Sequence, residues 1–350
     1  MDYYKLFLII FLIFLVVYYF FDKNNLETFN CKIVNDLPID FRVKYYMKDA
    51  YHDKIYIPNN IYSNNNFVVN TDSKFKIGFK IFKSSFNTLE TIEKRYKQYI
   101  VDMAYVLSFT NKNDNYFQIG VGDIASKSIY KGVIGKSRLA DEKNIILLKL
   151  NYPRHWKGIK NIKNYDIPFN EKNNKIIWRG DTTGYPDKSF NKRYILVDKY
   201  FNHKNKNIDV GFSNVLENNH IISSRQYLKN KLKKCEQLQS KFIISIEGND
   251  VASGLKWQLY SNSVVFMAKP KICSWLMEDM LVPGVHYILL KDDYSDLEEK
   301  YNWALNHEEE CINISKNSTD YMEQFLDKNK EDKISKLIID KYFENVSFAN

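Results

Sequence analysis

The second half of the chain alternates short apolar segments with segments of helical periodicity. Apolar, β-branched segments predict strands at Lys175–Arg179, Ile208–Phe212, Phe242–Ile246, Val264–Met267 and His286–Leu290. The intervening pattern predicts helices at Phe190–Tyr200, Ser224–Leu238, Val251–Tyr260 and Ser274–Met280. Apolar strands that alternate with helices are typical of a parallel sheet with helices on both faces. We therefore expect an α/β fold whose ligands bind past the carboxyl ends of the strands.

The first half is less regular. Apolar residues on one helical face predict a long helix over Asn87–Phe109, and short apolar segments predict strands at Tyr116–Gly122, Val133–Ile134 and Ile145–Leu150. The charged and poorly periodic stretch Lys157–Asn174 indicates a connection between two domains.

The apolar pattern is uninterrupted only at Leu6–Phe21, which carries no charge. A helix of this length spans about 24 Å, slightly less than the roughly 30 Å hydrocarbon core of a bilayer. A cleaved signal peptide normally ends in small residues, and no such site follows this segment. The pattern favours an uncleaved N-terminal anchor. The charges on its two sides are nearly balanced, so they do not predict its orientation in the membrane.

The net charge and the spacing of the cysteines restrict the classes of function that the sequence predicts. The formal net charge is +9, with basic residues crowded in Lys157–Arg193 and Arg225–Lys241, which indicates either an anion-attracting surface or a lysine-rich solvated face. The chain has no homeodomain, zinc-finger or RNA-recognition motif, so we do not expect nucleic-acid binding. No two of the four cysteines form a Cys-x-x-Cys pair, which argues against a zinc site; they are Cys31, Cys235, Cys273 and Cys311.

The segment Lys241–Phe266 predicts an anion site between two strands. Gly248 fits a tight turn, Asp250 is a candidate helix cap, and Lys256 adds a positive charge. The first turn of the predicted helix is made of small residues, namely Ala252, Ser253 and Gly254. The free N–H groups at such a helix start attract phosphates. The alternative is an ordinary strand–helix junction with a good cap.

Two arginines are candidates for the same edge of the sheet. The strand IIWRGDTTG, Ile176–Gly184, carries Arg179, whose guanidinium can bind a phosphate with two parallel hydrogen bonds. Gly180 after it allows the backbone to come close to a ligand, and Arg193 follows on the next segment. For each arginine alone, a surface ion pair is the alternative.

These features belong to a longer pattern. It consists of WRGDTTG at 178–184, DVGF at 209–212, EGNDVASGLKWQLYSNSVVFM at 247–267, SWLMED at 274–279 and PGVHYILLKDDYSDLEEK at 283–300. The pattern resembles glycosyltransferase family 90, strongly over about 175–310, weakly over 115–155 and not over 1–85. The resemblance implies a GT-B architecture, with two Rossmann-like domains and a cleft between them. It also implies an inverting, metal-free transfer from a nucleotide sugar, usually UDP-linked.

The resemblance also implies roles for particular residues. The catalytic base of the family corresponds to Asp123 in QIGVGDIAS, for which a turn-stabilising aspartate is the alternative. The predicted donor-binding set is Arg179, Asp181, Arg193, Gly248, Asn249, Asp250, Val251, Ala252, Ser253, Gly254 and Lys256. Some animal members carry an arginine where this chain has Gly254, so Lys256 or Arg179 is the candidate for that charge.

Other motifs are weaker. Gly120-x-Gly122-x-x-Ala125 fits a loose dinucleotide-binding pattern, but no helical pattern follows it. The chain has no Asp-x-Asp motif of the kind that holds a metal ion in many transferases, and no metal site is predicted. His155 and His286 are expected to be structural.

The predicted organisation is a membrane anchor over 1–22, a stem over 23–30, an acceptor-side domain over 31–165, a nucleotide-sugar-binding domain over 166–325 and a C-terminal helix over 326–350 that packs back on the N-terminal domain. The expected function is transfer of a glucose- or xylose-like sugar from a UDP-sugar to a hydroxyl of a glycan, glycolipid or glycoprotein, with no other cofactor. The expected localisation is a single-pass membrane protein, either of the secretory or endomembrane system or of a bacterial-type inner membrane. The alternative is a non-catalytic glycan-binding or glycan-assembly protein with the same fold.

Overall fold

A computed structural model describes residues 36–57, 66–70, 99–110, 115–123, 131–184, 191–215 and 222–348. The strands in chain order are β1 Ile55–Ile57, β2 Asn66–Asn70, β3 Tyr116–Gly120, β4 Val133–Gly135, β5 Ser137–Leu139, β6 Ile145–Leu147, β7 Asn173–Asp181, β8 Ile208–Asn214, β9 Ser240–Ile244, β10 Val264–Met267, β11 Ile272–Ser274, β12 Ile288–Leu289 and β13 Val346–Phe348. The α-helices are α1 Ile39–Met47, α2 Tyr152–His155, α3 Lys192–Tyr200, α4 Lys234–Gln237, α5 Leu255–Leu259, α6 Leu297–Leu305, α7 Glu308–Glu323 and α8 Lys328–Asn345. Residues 99–107 are also helical.

The second half forms a five-stranded parallel sheet in the order β12-β10-β9-β7-β8. All five strands predicted for this half are present, with ends that differ by a few residues. The central strand β9 is buried along its whole length, which explains its continuous apolar sequence. The carboxyl ends of β7 and β9 therefore lie side by side, and the loops that follow them meet there.

The first half forms a four-stranded sheet in the order β2-β3-β4-β6, in which only β2 runs antiparallel to its neighbour. A separate antiparallel pair joins β5 to β11, with Ser137 opposite Ser274. This pair connects the segment between β4 and β6 to the segment after β10. Contacts group Leu37–Asn350 into one compact unit, and the predicted division at residue 165 stays a prediction.

The C-terminal helix α8 packs against α1 and against the first sheet. The Gln118 backbone N–H donates to the Tyr342 hydroxyl over 2.9 Å, and both groups are buried. Arg42 on α1 forms an ion pair of 2.6 Å with Glu331 on α8, and both side chains are almost fully buried. After α8, strand β13 pairs with β1. The end of the chain is therefore held by buried polar contacts as well as apolar packing.

Three predicted helices differ from the structure. The helix predicted over Val251–Tyr260 begins only at Leu255, and that over Ser274–Met280 is reduced to a 3-10 turn at Glu278–Met280. The Ser274 backbone N–H and hydroxyl both donate to the Glu278 carboxylate, which closes a turn instead of a helix. The helix predicted over Ser224–Leu238 is split, because the Lys229 backbone N–H donates to the Phe212 carbonyl of β8.

The membrane prediction requires a correction. Wherever the structure describes the chain, its helices are too short or too polar to cross a bilayer. The predicted anchor at Leu6–Phe21 lies outside the described residues, as do residues 87–98 of the long predicted helix. We therefore correct the fold class to mixed α/β for the described residues, and the predicted N-terminal transmembrane helix is not supported. The single-pass localisation and the membrane as a partner are withdrawn with it.

Candidate functional site

A polar cleft of about 350 Å³ lies where loops from both sheets meet. One side comes from the first half of the chain and the other from the loops after β7 and β9. The lining residues are Asp123, Lys136, Arg154, His155, Thr183, Arg193, Gly248, Asn249, Asp250, Val251 and Ser253. The cleft thus lies at the carboxyl ends of the parallel strands, where the sequence predicts a ligand site.

Lys136 connects two carboxylates at the bottom of the cleft. Its Nζ lies 2.9 Å from Asp123 Oδ1 and 2.5 Å from Asp250 Oδ2. The Lys136 and Asp250 side chains are only 7% exposed, whereas that of Asp123 is 38% exposed. Asp123 follows β3 after Gly122, whose φ of 91° is a conformation that glycine adopts without strain. Asp123 is therefore fixed by Lys136 but open to the cleft.

The two carboxylates and the Lys136 ammonium group stabilise one another in their charged forms. Partial burial raises the pKa of Asp123, but the Lys136 hydrogen bond and charge, with smaller effects of Arg154 and Asn249, lower it below its usual value of 3.8. Burial lowers the pKa of Lys136, but the two carboxylates outweigh it and raise that pKa above 10.5. Asp123 is therefore an ionised carboxylate at neutral pH.

Arg193, on the first turn of α3, is held by the backbone of two loops. Its Nη1 donates to the Asp181 carbonyl over 3.1 Å and to the Thr183 hydroxyl, and its Nη2 and Nε donate to the carbonyls of Ile246 and Glu247. No carboxylate of the described residues lies within ion-pair distance of this guanidinium. Burial lowers the pKa of Arg193 to about 10, against an opposing effect of Asp181, so it stays protonated at neutral pH.

The turn after β9 is shaped around Arg193. A Cβ added to Gly248 would lie 2.7 Å from Arg193 Nη2 and 2.9 Å from its Cζ, so only glycine allows this approach. The Gly248 backbone N–H donates to the Asp250 carbonyl, and Asn249 Oδ1 accepts from the Gly184 backbone N–H over 2.9 Å. The loops after β7 and β9 are therefore joined at the cleft.

Helix α2 brings Arg154 and His155 to the opposite side. It begins after Asn151, whose φ is 52° and whose backbone N–H donates to Asp102 Oδ1 over 2.7 Å. His155 is 7% exposed, and neither of its ring nitrogens has a hydrogen-bond partner in the part of the chain that the structure describes. Burial and the charges of Lys256, Lys136 and Arg154 lower its pKa to about 2, so the ring is neutral.

Several predicted donor-binding residues are not brought into the cleft. Arg179 is saturated by Asp209, whose two carboxylate oxygens lie 2.9 and 3.0 Å from its Nη2, and by neighbouring carbonyls. Lys256 is 1% exposed and contacts Ser274 Oγ at 3.1 Å and Glu278 Oε1 at 3.4 Å. Asp181 does not line the cleft; its carbonyl accepts from Arg193, and its carboxylate acts on Arg193 through its charge.

The predicted capping role of Asp250 is wrong, whereas anion binding by this loop stays a prediction. Asp250 does not cap a helix, because its carboxylate accepts from Lys136, from Ser137 Oγ over 2.8 Å and from the adjacent Val251 N–H over 2.7 Å. Helix α5 is only five residues long, and its N-cap Gly254 has no side-chain cap. Of the small residues predicted to form its first turn, Ser253 lines the cleft, whereas Ala252 and Gly254 do not.

A second pocket of about 360 Å³ lies on the other side of the loop after β9. Its lining is mostly apolar and includes Ile246, Met267 and Ile272. The polar and charged members include Lys192, Ser245, Glu247 and Glu278. Ser245 Oγ is buried and has no partner among the described residues. Val251 lines both this pocket and the polar cleft, so the two are neighbours.

The sequence analysis missed Lys136, Arg154 and Thr183. Thr183 belongs to the WRGDTTG segment, so it could have been proposed from its place after a strand end. Lys136 and Arg154 lie in segments where the family resemblance is weak, and nothing in their local pattern distinguishes them from other basic residues. Within the described residues, no group of three or more His, Cys, Asp or Glu side chains is placed to hold a metal ion.

Comparison with known proteins confirms the family resemblance. The family model of glycosyl transferase family 90 matches residues 151–344, more than half of the chain. The O-glucosyltransferase LpsA of Dichelobacter nodosus is 32% identical over 203 residues, which are 58% of each chain. Protein O-glucosyltransferase 2 of Danio rerio is 28% identical over 145 residues, 41% of this chain and 27% of that protein.

An uncharacterized protein, 179R, of Invertebrate iridescent virus 6 is also similar. It is 24% identical over 214 residues, 53% of this chain and 18% of the viral protein. The chain thus spans between about a fifth and three fifths of the length of these relatives.

Proposed function

Because this chain belongs to glycosyltransferase family 90, we propose that it transfers a sugar from a UDP-linked donor to a hydroxyl group of a glycan, glycolipid or glycoprotein. The proposed reaction inverts the anomeric carbon and needs no metal ion. Two relatives are named O-glucosyltransferases, which makes UDP-glucose the first donor to test.

One observation carries the proposal: an ionised carboxylate and a guanidinium that has no ion-pair partner among the described residues line the same cleft. In an inverting transfer, the acceptor oxygen forms a bond to the anomeric carbon while the bond from that carbon to the diphosphate breaks on the opposite face. Asp123 takes the proton of the acceptor hydroxyl. Its carboxylate is the more exposed of the two that Lys136 contacts, which allows a bulky acceptor to reach it.

Arg193 binds the diphosphate. Negative charge grows on the diphosphate as the sugar leaves, and a fixed positive group stabilises that charge without having to reorganise. The carbonyls of Ile246 and Glu247 and the Asp181 carbonyl hold the guanidinium in place. Because no described carboxylate neutralises Arg193, its charge is available to an anionic ligand.

The pocket beside the cleft suits the nucleobase. A planar base has two apolar faces and a polar edge, and this pocket combines apolar walls with the unpartnered Ser245 hydroxyl. A donor that crosses the loop at 246–248 would place its diphosphate next to Arg193 and its sugar in the polar cleft.

The test is Asp123→Asn, which keeps the size of the side chain and removes its ability to accept a proton. We expect transfer from UDP-glucose to fall by roughly 10²- to 10⁴-fold, the usual contribution of a general base. UDP affinity and melting temperature should change little. Asp292→Asn is the matched control, because Asp292 is an ion-paired carboxylate with a lowered pKa outside the cleft.

Three results would contradict the proposal. Normal turnover by folded Asp123→Asn protein would remove Asp123 as the base. Strict dependence of the wild type on added Mn²⁺ or Mg²⁺ would remove the metal-free mechanism. If the wild type binds UDP-glucose but neither hydrolyses nor transfers it, the chain is instead the non-catalytic binding protein.

A further inference from the structure

His155 is a buried polar side chain at the cleft that the proposed reaction leaves unused. It is 7% exposed, and both ring nitrogens lack a partner among the described residues. A buried polar group without a hydrogen bond costs about 1–3 kcal/mol, so such a group at a ligand cleft points to a ligand that pairs with it.

The chemistry of the ring restricts that ligand. Burial, together with the positive charges of Lys256, Lys136 and Arg154, keeps the imidazole neutral, and those charges disfavour a cationic ligand. A neutral imidazole has one N–H donor and one nitrogen acceptor. A phosphate oxygen can only accept from the N–H, whereas a hydroxyl group can accept from the N–H or donate to the bare nitrogen, whichever of the two meets the ligand. A hydroxyl is therefore the group that fits His155 best.

Burial indicates which hydroxyl it is. Asp123, the proposed base, has a side chain that is 38% exposed, so an acceptor can reach it from solvent. His155 lines the same cleft but is only 7% exposed, a position suited to a donor sugar that binds before the acceptor. We propose that His155 hydrogen-bonds a hydroxyl of the transferred sugar and so selects the sugar of the donor. This inference rests on the proposed function and adds a specificity residue to it.

The shape of the site determines the variants. Besides the polar cleft, His155 borders a smaller cavity of about 220 Å³, distinct from the pocket of about 360 Å³ described above. Apolar residues such as Leu148 and Trp275 line much of it. Alanine would join this cavity to the cleft, so His155→Leu, which keeps much of the volume, is the better variant. His155→Gln retains both a donor and an acceptor. His286→Leu is the matched control, because His286 is a buried histidine outside the cleft whose Nε2 also has no partner in the described part of the chain.

The experiment measures the affinity of UDP, UDP-glucose and the 2-, 3-, 4- and 6-deoxy analogues of UDP-glucose by calorimetry. We expect the wild type to bind at least one deoxy analogue roughly 3- to 10-fold more weakly than UDP-glucose, the scale of one neutral hydrogen bond. His155→Leu should abolish this difference without changing UDP affinity. His155→Gln should restore part of it, and His286→Leu should leave it intact.

The outcomes separate the two proposals. If the wild type binds neither UDP nor UDP-glucose, the proposed function fails and this inference fails with it. If the wild type binds both, the inference alone fails in two cases: when it treats all the analogues alike, or when His155→Leu discriminates as the wild type does. A loss of UDP affinity with unchanged discrimination would show a structural role and would also overturn the inference.

Discussion

Asp102 is a buried carboxylate whose replacement by asparagine should stabilise the protein at neutral pH. Its side chain lies in the helical residues 99–107 and is 5% exposed. Burial raises its pKa from 3.8 to about 6, against smaller opposing effects of the Asn151 N–H and the Lys136 charge. The charged form is therefore less stable in the folded protein than in the unfolded chain.

The size of the effect follows from linkage. Each pH unit of difference between folded and unfolded pKa corresponds to about 1.4 kcal/mol, so this group destabilises the fold by about 3 kcal/mol above pH 6. The penalty is absent below about pH 4, where both states are protonated. Asp102→Asn keeps an oxygen that accepts from the Asn151 backbone N–H and removes the charge. It should add up to about 3 kcal/mol at pH 7 and almost nothing at pH 4.

Urea unfolding of both proteins at several values between pH 4 and pH 8 measures this directly. The stability difference between variant and wild type should grow as the pH rises through the window from 4 to 6. Asp40→Asn is a control of opposite sign, because hydrogen bonds from Tyr51 and Lys44 lower the pKa of this exposed carboxylate. A difference for Asp102→Asn that does not change with pH would refute the reasoning, since only the titration of Asp102 produces the slope.

Two further predictions concern the cleft. Lys136→Met should destabilise the protein by about 3–5 kcal/mol in urea unfolding, because it leaves Asp250 buried without its counter-ion. The double variant Lys136→Met/Asp250→Asn should recover most of that loss. Additive losses would contradict this pairing. Gly248→Ala should displace the Arg193 guanidinium and weaken UDP binding about tenfold in calorimetry. Arg179→Ala, outside the cleft, should leave UDP affinity unchanged, and an equal loss in both variants would place the diphosphate elsewhere.

The sheet of the second half could be predicted because its strands are buried on both faces. Strand β9 and strand β10 are buried at every position, so their sequences are continuously apolar and stand out from the surrounding pattern. The glycine at 248 could also be proposed, because a tight turn after such a strand restricts the residue types. These signals are local, and a single sequence contains them.

The error at Asp250 has a different origin. An aspartate followed by small residues has the composition of a helix cap, and the local pattern does not distinguish that role from others. The Asp250 carboxylate instead binds Lys136 and the Ser137 hydroxyl, which lie more than a hundred positions away in the sequence. Similarly, Arg179 follows a strand as a phosphate-binding arginine would, but Asp209 on the neighbouring strand binds it first. In both cases the role of the side chain is set by a partner that is distant in the sequence and close only in the folded structure.

Lys136 shows why the site depends on contacts that are distant in sequence. It lies between β4 and β5 and holds Asp123 after β3 together with Asp250 after β9, so one ammonium group serves two carboxylates. In the proposed reaction Asp123 takes a proton and loses its charge. Lys136 is not then left buried without a counter-ion, because Asp250 remains 2.5 Å away. An isolated Lys136–Asp123 pair would resist that proton, since neutralising Asp123 would leave a buried and uncompensated cation. In the proposed reaction Asp250 therefore supports Asp123, because its charge keeps Lys136 paired when the base is protonated.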